Sequence, residues 1–265
     1  MTDIWQETLP VRFGDIDRSD RLTLAAALYY FQEVAISHAE DLGVGRDALA
    51  RTRQVWVLSR MSVRMERRPM YDETVTVRSW PRGSEKLFAI RDYDIRDAHD
   101  TPIVRGRSGW IILDLDKRRP LRVQPIIAEI PLNEGIDALP DGPRGLETRT
   151  GLVKAGERRA AYSDIDYNGH VNNTRYIQWI QDITEPEVLE KADTIRFDIN
   201  YLSEVKYGDI TELWTAPIHT AEGDAPADSV AVVGGSDAAY RYAAAIEGRQ
   251  AEGGQAAFRA ELRTR

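Results

Sequence analysis

The chain has 265 residues, a formal net charge of −8 and no cysteine. Its length suits one large domain or two ordinary ones, and the missing thiols exclude disulfides, a thiolate nucleophile and cysteine-ligated zinc. The acidic balance argues against nucleic-acid binding, four scattered histidines argue against a histidine-rich metal site, and no cofactor is expected.

The opening residues, Met1-Thr2-Asp3-Ile4-Trp5-Gln6, carry neither the basic nor the apolar region of a secretory signal. The longest uncharged apolar-rich run, residues 22–32, falls short of the ~20 residues that span a bilayer. A cytoplasmic protein without a membrane span is the expectation. A polar segment, residues 12–20, then leads into a helical pattern in which Leu24, Leu28, Phe31, Ala35, Ala39 and Leu42 share one stripe, with Gly43 as its stop. His38 on that helix reads as a core histidine. Gly43-Val44-Gly45-Arg46-Asp47-Ala48 follows a helix rather than a strand and reads as a helix end, not a dinucleotide loop.

Strand-like runs follow at residues 55–65, 74–80, 87–95 and 103–115, with turns at Tyr71-Asp72-Glu73 and at residues 97–102, the latter exposing His99. Residues 120–150 hold five prolines and little periodicity, which predicts a linker between a first domain (1–119) and a second (151–265). The second repeats the order of the first. Asn173 is expected to cap a helix through Asp182, ending near Pro186; strands are expected at 195–205, 210–218, 240–246 and 256–262, with a last turn at 250–254. His219 is expected to be exposed at a strand end, and residues 221–239 read as a loose insertion. The fold class is α+β, one long helix and an antiparallel sheet in each of two units.

The repeat is visible in the residues themselves. Residues 13–33 align without a gap on residues 162–182, so that Asp15, Ile16, Asp17 and Gln32 meet Asp164, Ile165, Asp166 and Gln181. Ser19 stands where Asn168 stands, and Arg21 where His170 stands. Aligning Tyr71 with Tyr207 sets Arg68 opposite Glu204. Asp166, Asn168 and His170, at alternate positions of an extended segment before a helix, can converge on one side with Glu204 arriving from the end of a strand. A carboxylate beside an imidazole and an amide can deprotonate a water that attacks an acyl carbonyl, while the amide and helix-terminal N–H groups steady the oxyanion. Each residue also has a bland reading: Asp166 a turn acid, Asn172 and Asn173 caps, His170 a polar residue packed at a helix start. Loss of the set in the other half, where only Asp17 keeps its place, favours function.

Asp166-x-Asn168-x-His170-Val171-Asn172-Asn173-x-Arg175-Tyr176 resembles the catalytic motif of the acyl-acyl-carrier-protein thioesterases, a plant and bacterial family with two hotdog domains in one chain. Trp56-Val57-Leu58-Ser59-Arg60-Met61, Glu66-Arg67-x-Pro69, Glu73-Thr74-Val75-Thr76-Val77-x-x-Trp80 and Tyr201-x-x-Glu204 extend the likeness over nearly the whole chain. The resemblance implies two hotdog sheets joined as a pseudo-dimer, an acyl-chain pocket in the first and catalytic residues in the second. It implies hydrolysis of acyl-carrier-protein thioesters, with Glu204 activating water, Asn168 and His170 holding and polarising the thioester, and Asp166 orienting them. Many family members carry Cys after this Glu, where this chain has Val205. The acidic carrier implies a basic docking surface, for which Arg64, Arg67 and Arg68 are the candidates, in a monomer or a homodimer. An acyl-CoA thioesterase on the same fold and a non-hydrolytic acyl-binding module are the rival expectations.

Overall fold

Thr23 starts the first long helix because its Oγ1 accepts the otherwise orphaned N–H of Ala26 at 3.1 Å. That helix, α1 (Leu24–Asp41), buries Leu24, Leu28, Phe31, Ala35 and His38, and the chain leaves it through Gly43 at φ +70°. A computed structural model describes residues 3–128, 130–218 and 240–265; the segment 221–239 and His219 lie outside the described residues. The chain divides into two units, Met1–Arg144 and Gly145–Arg265.

In the first unit the strands are β1 (Trp5–Pro10), β2 (Gln54–Met65), β3 (Thr74–Glu85), β4 (Phe88–Arg96) and β5 (Pro102–Asp114). They pair antiparallel in the order β1-β3-β4-β5-β2. The first helix lies across this sheet, where Phe31 stacks on Tyr93 of β4 at 4.9 Å. Gly106 of β5 makes that approach possible: a Cβ there would come within 2.7 Å of the Phe31 ring. The edge strand β1 and a short helix, α2 (Arg46–Arg51), were among the elements not expected from sequence. The edge strand ends in Pro10, which lacks the N–H that an inner strand would need.

The segment expected to be a linker begins with structure of its own. A short strand, β6 (Arg119–Leu121), pairs with β5, and a helical turn, α3 (Gln124–Ile127), sets Val123 and Ile127 against Ile112. Further on, the Trp80 indole donates to the Ile136 carbonyl at 2.8 Å, and Asp137 accepts from Arg82 and Arg107. Residues 120–144 therefore pack with the first unit, because their apolar and acidic side chains complete its sheet.

The second unit holds β7 (Val153–Arg159), α4 (Asn173–Asp182), α5 (Pro186–Glu190), β8 (Ile195–Tyr201), β9 (Ile210–Pro217), β10 (Tyr242–Gln250) and β11 (Ala256–Thr264). Its strands run antiparallel in the order β8-β11-β10-β9-β7. The helix α4 presses Tyr176 onto Tyr201 of β8 and Phe258 of β11, with ring centroids at 5.8 and 5.3 Å. Its cap is Asn172, not Asn173: Asn172 Oδ1 accepts from Thr174 N at 2.9 Å. Asn173 is the first helical residue instead. Pro186 opens α5 rather than closing α4, its missing N–H costing nothing in a first turn. The architecture is thus α+β twice over, one long helix against one antiparallel sheet in each unit.

Candidate active site

In the second unit a short helical turn, Tyr162–Asp164, precedes a tight loop that returns the chain to α4. Gly169 takes φ +82°, a left-handed conformation that glycine adopts without a Cβ penalty. The loop closes on itself through Asp166 N to His170 O at 2.9 Å and Gly169 N to Asp166 O at 3.0 Å. Asp166 Oδ1 accepts from Asn168 N at 2.8 Å, an Asx turn that fixes where the amide side chain begins. Val171 N then donates to Val205 O at 2.8 Å and ties the loop to the segment after β8. The result is contact between side chains far apart in sequence: His170 Nε2 lies 2.9 Å from Glu204 Oε2. The histidine side chain is 28% exposed and the carboxylate 60%, so the pair stands at the surface.

Beneath it the site is aromatic. Tyr176 is buried, and burial pushes its hydroxyl well above the ordinary phenol range, with the charges of Glu204 and Asp166 adding to the shift. The Tyr201 hydroxyl donates to the Asn173 carbonyl at 3.2 Å, and burial raises it too. Gln250 Nε2 donates to the Glu204 carbonyl at 2.8 Å and holds the backbone that carries the acid. Sequence reading missed Gln250, which read only as part of a turn; the turn position itself, facing the end of β8, was the available signal. Of the expected site residues, His170 and Glu204 meet through their side chains, while Asp166 and Asn168 share the loop that carries His170, with Asn168 exposed.

The first unit repeats the backbone of this loop and not its chemistry. Asp17 N donates to Arg21 O, Asp20 N to Asp17 O and Leu22 N to Pro69 O, at 3.0, 3.0 and 2.8 Å. Asp20 takes φ +63° where the second unit has Gly169. Ser19 N donates to Asp17 Oδ1 at 2.9 Å, matching Asn168 and Asp166. Opposite the loop, however, sits Arg68. Its side chain is buried, ion-paired with Asp17 and bonded to the Leu22 carbonyl at 2.9 Å. Burial alone would raise the Asp17 carboxyl, but hydrogen bonds from Ser19 and Arg68 outweigh it and hold the group below the ordinary carboxylate range.

That placement takes Arg68 out of the expected docking cluster. Arg68 is committed inside the first unit, and Arg67 grips Glu73 through both terminal nitrogens at 2.8 and 2.6 Å. Arg64 is partly buried and 3.4 Å from Asp141. Among the described residues no group of three or more His, Asp or Glu side chains is arranged to hold a metal ion, and no helix is long and apolar enough to cross a membrane.

Comparison with known proteins gives the same direction. Residues 2–130 match the acyl-ACP thioesterase N-terminal domain and residues 153–243 the C-terminal domain. An acyl-[acyl-carrier-protein] hydrolase from chloroplasts of Cuphea viscosissima is 26% identical over 234 residues, 83% of this chain and 57% of that protein. A palmitoyl-acyl carrier protein thioesterase of Cuphea hookeriana is 27% identical, over 80% of this chain and 54% of the relative. The chain spans about half the length of the curated relatives it matches. The crystal structure of an acyl-ACP thioesterase from Bacteroides thetaiotaomicron superposes with a TM-score of 0.78 at 23% identity, over 99% of this chain and 98% of that one. The 12:0-ACP thioesterase of Umbellularia californica gives 0.78 at 20% identity, over 99% and 97%. The fold is theirs.

Proposed function

The chain belongs to the acyl-ACP thioesterase family, and from that premise we propose that it hydrolyses fatty acyl thioesters of acyl carrier protein to free fatty acid and the carrier thiol. The observation that carries the reading is the 2.9 Å contact between His170 and Glu204, standing at the surface where the first unit has a buried ion pair. Glu204 takes a proton from water as the water oxygen attacks the thioester carbonyl carbon. The oxyanion that forms is steadied by the Asn168 amide and by N–H groups at the start of α4, where the helix dipole favours negative charge. The carbon–sulfur bond then breaks, and the proton held by the Glu204–His170 pair passes to the leaving thiolate. His170 orients the carboxylate throughout. Asp166 acts one step back by fixing Asn168 through its backbone N–H. With no cysteine in the chain, water is the economical nucleophile.

The test is single-turnover hydrolysis of a panel of acyl carrier protein thioesters by wild type and Glu204→Ala. A fall of about 100-fold or more, within the ~10²–10⁴ ascribed to a general base, supports the assignment. Activity that survives the substitution moves the base to His170 or Asp166. Turnover confined to coenzyme A thioesters would overturn the choice of carrier.

A further inference from the structure

Glu204 carries its carboxylate at the surface, yet the peptide that follows it is held on both edges. The Glu204 carbonyl accepts from Gln250 Nε2 at 2.8 Å. On the opposite edge of the same peptide plane, the Val205 N–H donates to the Tyr176 hydroxyl. Both grips start from fixed ground. Gln250 N donates to Gln255 O at 2.9 Å and Gly254 N to Gln250 O at 3.1 Å, which pins Gln250 where β10 enters its turn. Tyr176 is buried, its ring packed against Trp179, Tyr201 and Phe258.

The first unit has the matching backbone and neither grip. Leu22 N to Pro69 O repeats Val171 N to Val205 O, so Pro69 stands where Val205 does and has no N–H to give. Tyr176 aligns on Ala27, which has no hydroxyl. Asp97 stands at the place of Gln250, because Asp97 N donates to Thr101 O at 3.1 Å as Gln250 N does to Gln255 O. Two residues further on, Ile103 O accepts from Glu66 and Arg67 as Ala257 O does from Leu202 and Ser203. An ionised carboxylate has no hydrogen to donate, and Asp97 Oδ1 already accepts from His99 N and Thr101 N at 2.9 and 3.0 Å. Donor and acceptor are thus missing together in the unit that carries Arg68 in place of Glu204.

We propose that Tyr176 and Gln250 are positioning residues that clamp the Glu204–Val205 peptide and so hold the Glu204 carboxylate against His170. A glutamate this exposed spreads over many rotamers, and a loop free to swing would add its own motion. Fixing the peptide removes the second source of disorder and keeps the 2.9 Å contact within reach. Both residues act through Glu204 rather than on the thioester. The inference rests on Glu204 as the base of the hydrolysis proposed above.

The experiment uses the whole protein with Tyr176→Phe, which removes one oxygen and keeps the ring, and Gln250→Met, which keeps the length and removes the donor. On acyl carrier protein thioesters kcat should fall about 10-fold in each variant, with KM within about twofold. The decisive readout is the Glu204→Ala background. There both substitutions should lose their effect, because a residue acting through Glu204 has nothing left to position. An undiminished fall in that background overturns the proposal, as do wild-type rates in both single variants. Gln250→Met, at a half-buried turn position, carries the test if the buried Tyr176→Phe fails to fold. Amide hydrogen exchange at Val205, read without turnover, should quicken about 10-fold in both variants. A Val205 amide that depends on Tyr176 and Gln250 in a protein that hydrolyses no thioester sinks the hydrolase reading alone. Hydrolysis with Val205 exchange unchanged by either substitution sinks this one alone.

Discussion

Arg68 and Glu204 occupy matching backbone positions, and their opposite charges lead to opposite fates. The guanidinium is drawn inward by Asp17 and two backbone carbonyls, whereas the carboxylate stays outside against a histidine. Asp17→Asn should therefore cost about 1–3 kcal/mol at neutral pH, a figure reduced from that of a fully buried pair because the Asp17 side chain is 21% exposed. Urea denaturation would measure it. The pH dependence has a definite sign. The folded carboxyl titrates below the unfolded one, so its contribution is complete above about pH 4 and vanishes as pH falls through the lower, folded value. Wild type and Asp17→Asn should thus converge in strong acid; a constant gap down to the lowest pH would rule out Asp17 as the titrating group. Asp92 works the other way. Burial outweighs Arg107 and raises it, so it takes up its proton first in the folded chain.

Two elements have endings that depend on single side chains. Asn172→Ala should destabilise the protein by about 1 kcal/mol, because α4 loses the acceptor for Thr174 N. The same change loosens the approach to His170, so single-turnover rates should drop along with the denaturation midpoint. Gly106→Ala should cost about 1–3 kcal/mol, since the new methyl would meet a Phe31 ring already fixed against Tyr93. A variant as stable as wild type would show that α1 can shift. Much of this element layer was legible in the sequence. The stripe from Leu24 to Leu42 marked α1, and β-branched Thr74-Val75-Thr76-Val77 marked β3. β1 escaped because its residues alternate only between half-buried and exposed, which leaves little apolar contrast to read. The cap was placed one residue late because Asn172 and Asn173 are chemically alike, and only φ and ψ distinguish them. Glu204 was expected beside His170 from its place at the end of a strand and from the resemblance, and the two lie 2.9 Å apart. Arg68 misled because its sequence neighbours, Arg64 and Arg67, suggested a basic surface, while its partner Asp17 lies 51 residues away.

At the scale of the molecule, prolines advertised a linker where the chain instead lays β6, α3 and Asp137 onto the first unit. Limited trypsin digestion should accordingly cut at Arg144 or Arg149, in an exposed stretch without helix or strand, before it cuts at Arg122. Residues 219–239 contain neither Lys nor Arg, so trypsin has no site there to obscure the result. Mass spectrometry of the first fragments decides it, and early cleavage at Arg122 would return residues 120–144 to the linker. The two matching loops carry a wider meaning. Both fold through matching backbone hydrogen bonds and a left-handed residue at the same position, so the scaffold does not depend on the side chains placed on it. Asp17 already stands where Asp166 does. Ser19, Arg21 and Arg68 stand where Asn168, His170 and Glu204 do, so one backbone loop presents an imidazole and a carboxylate at the surface in the second unit and closes an internal ion pair in the first.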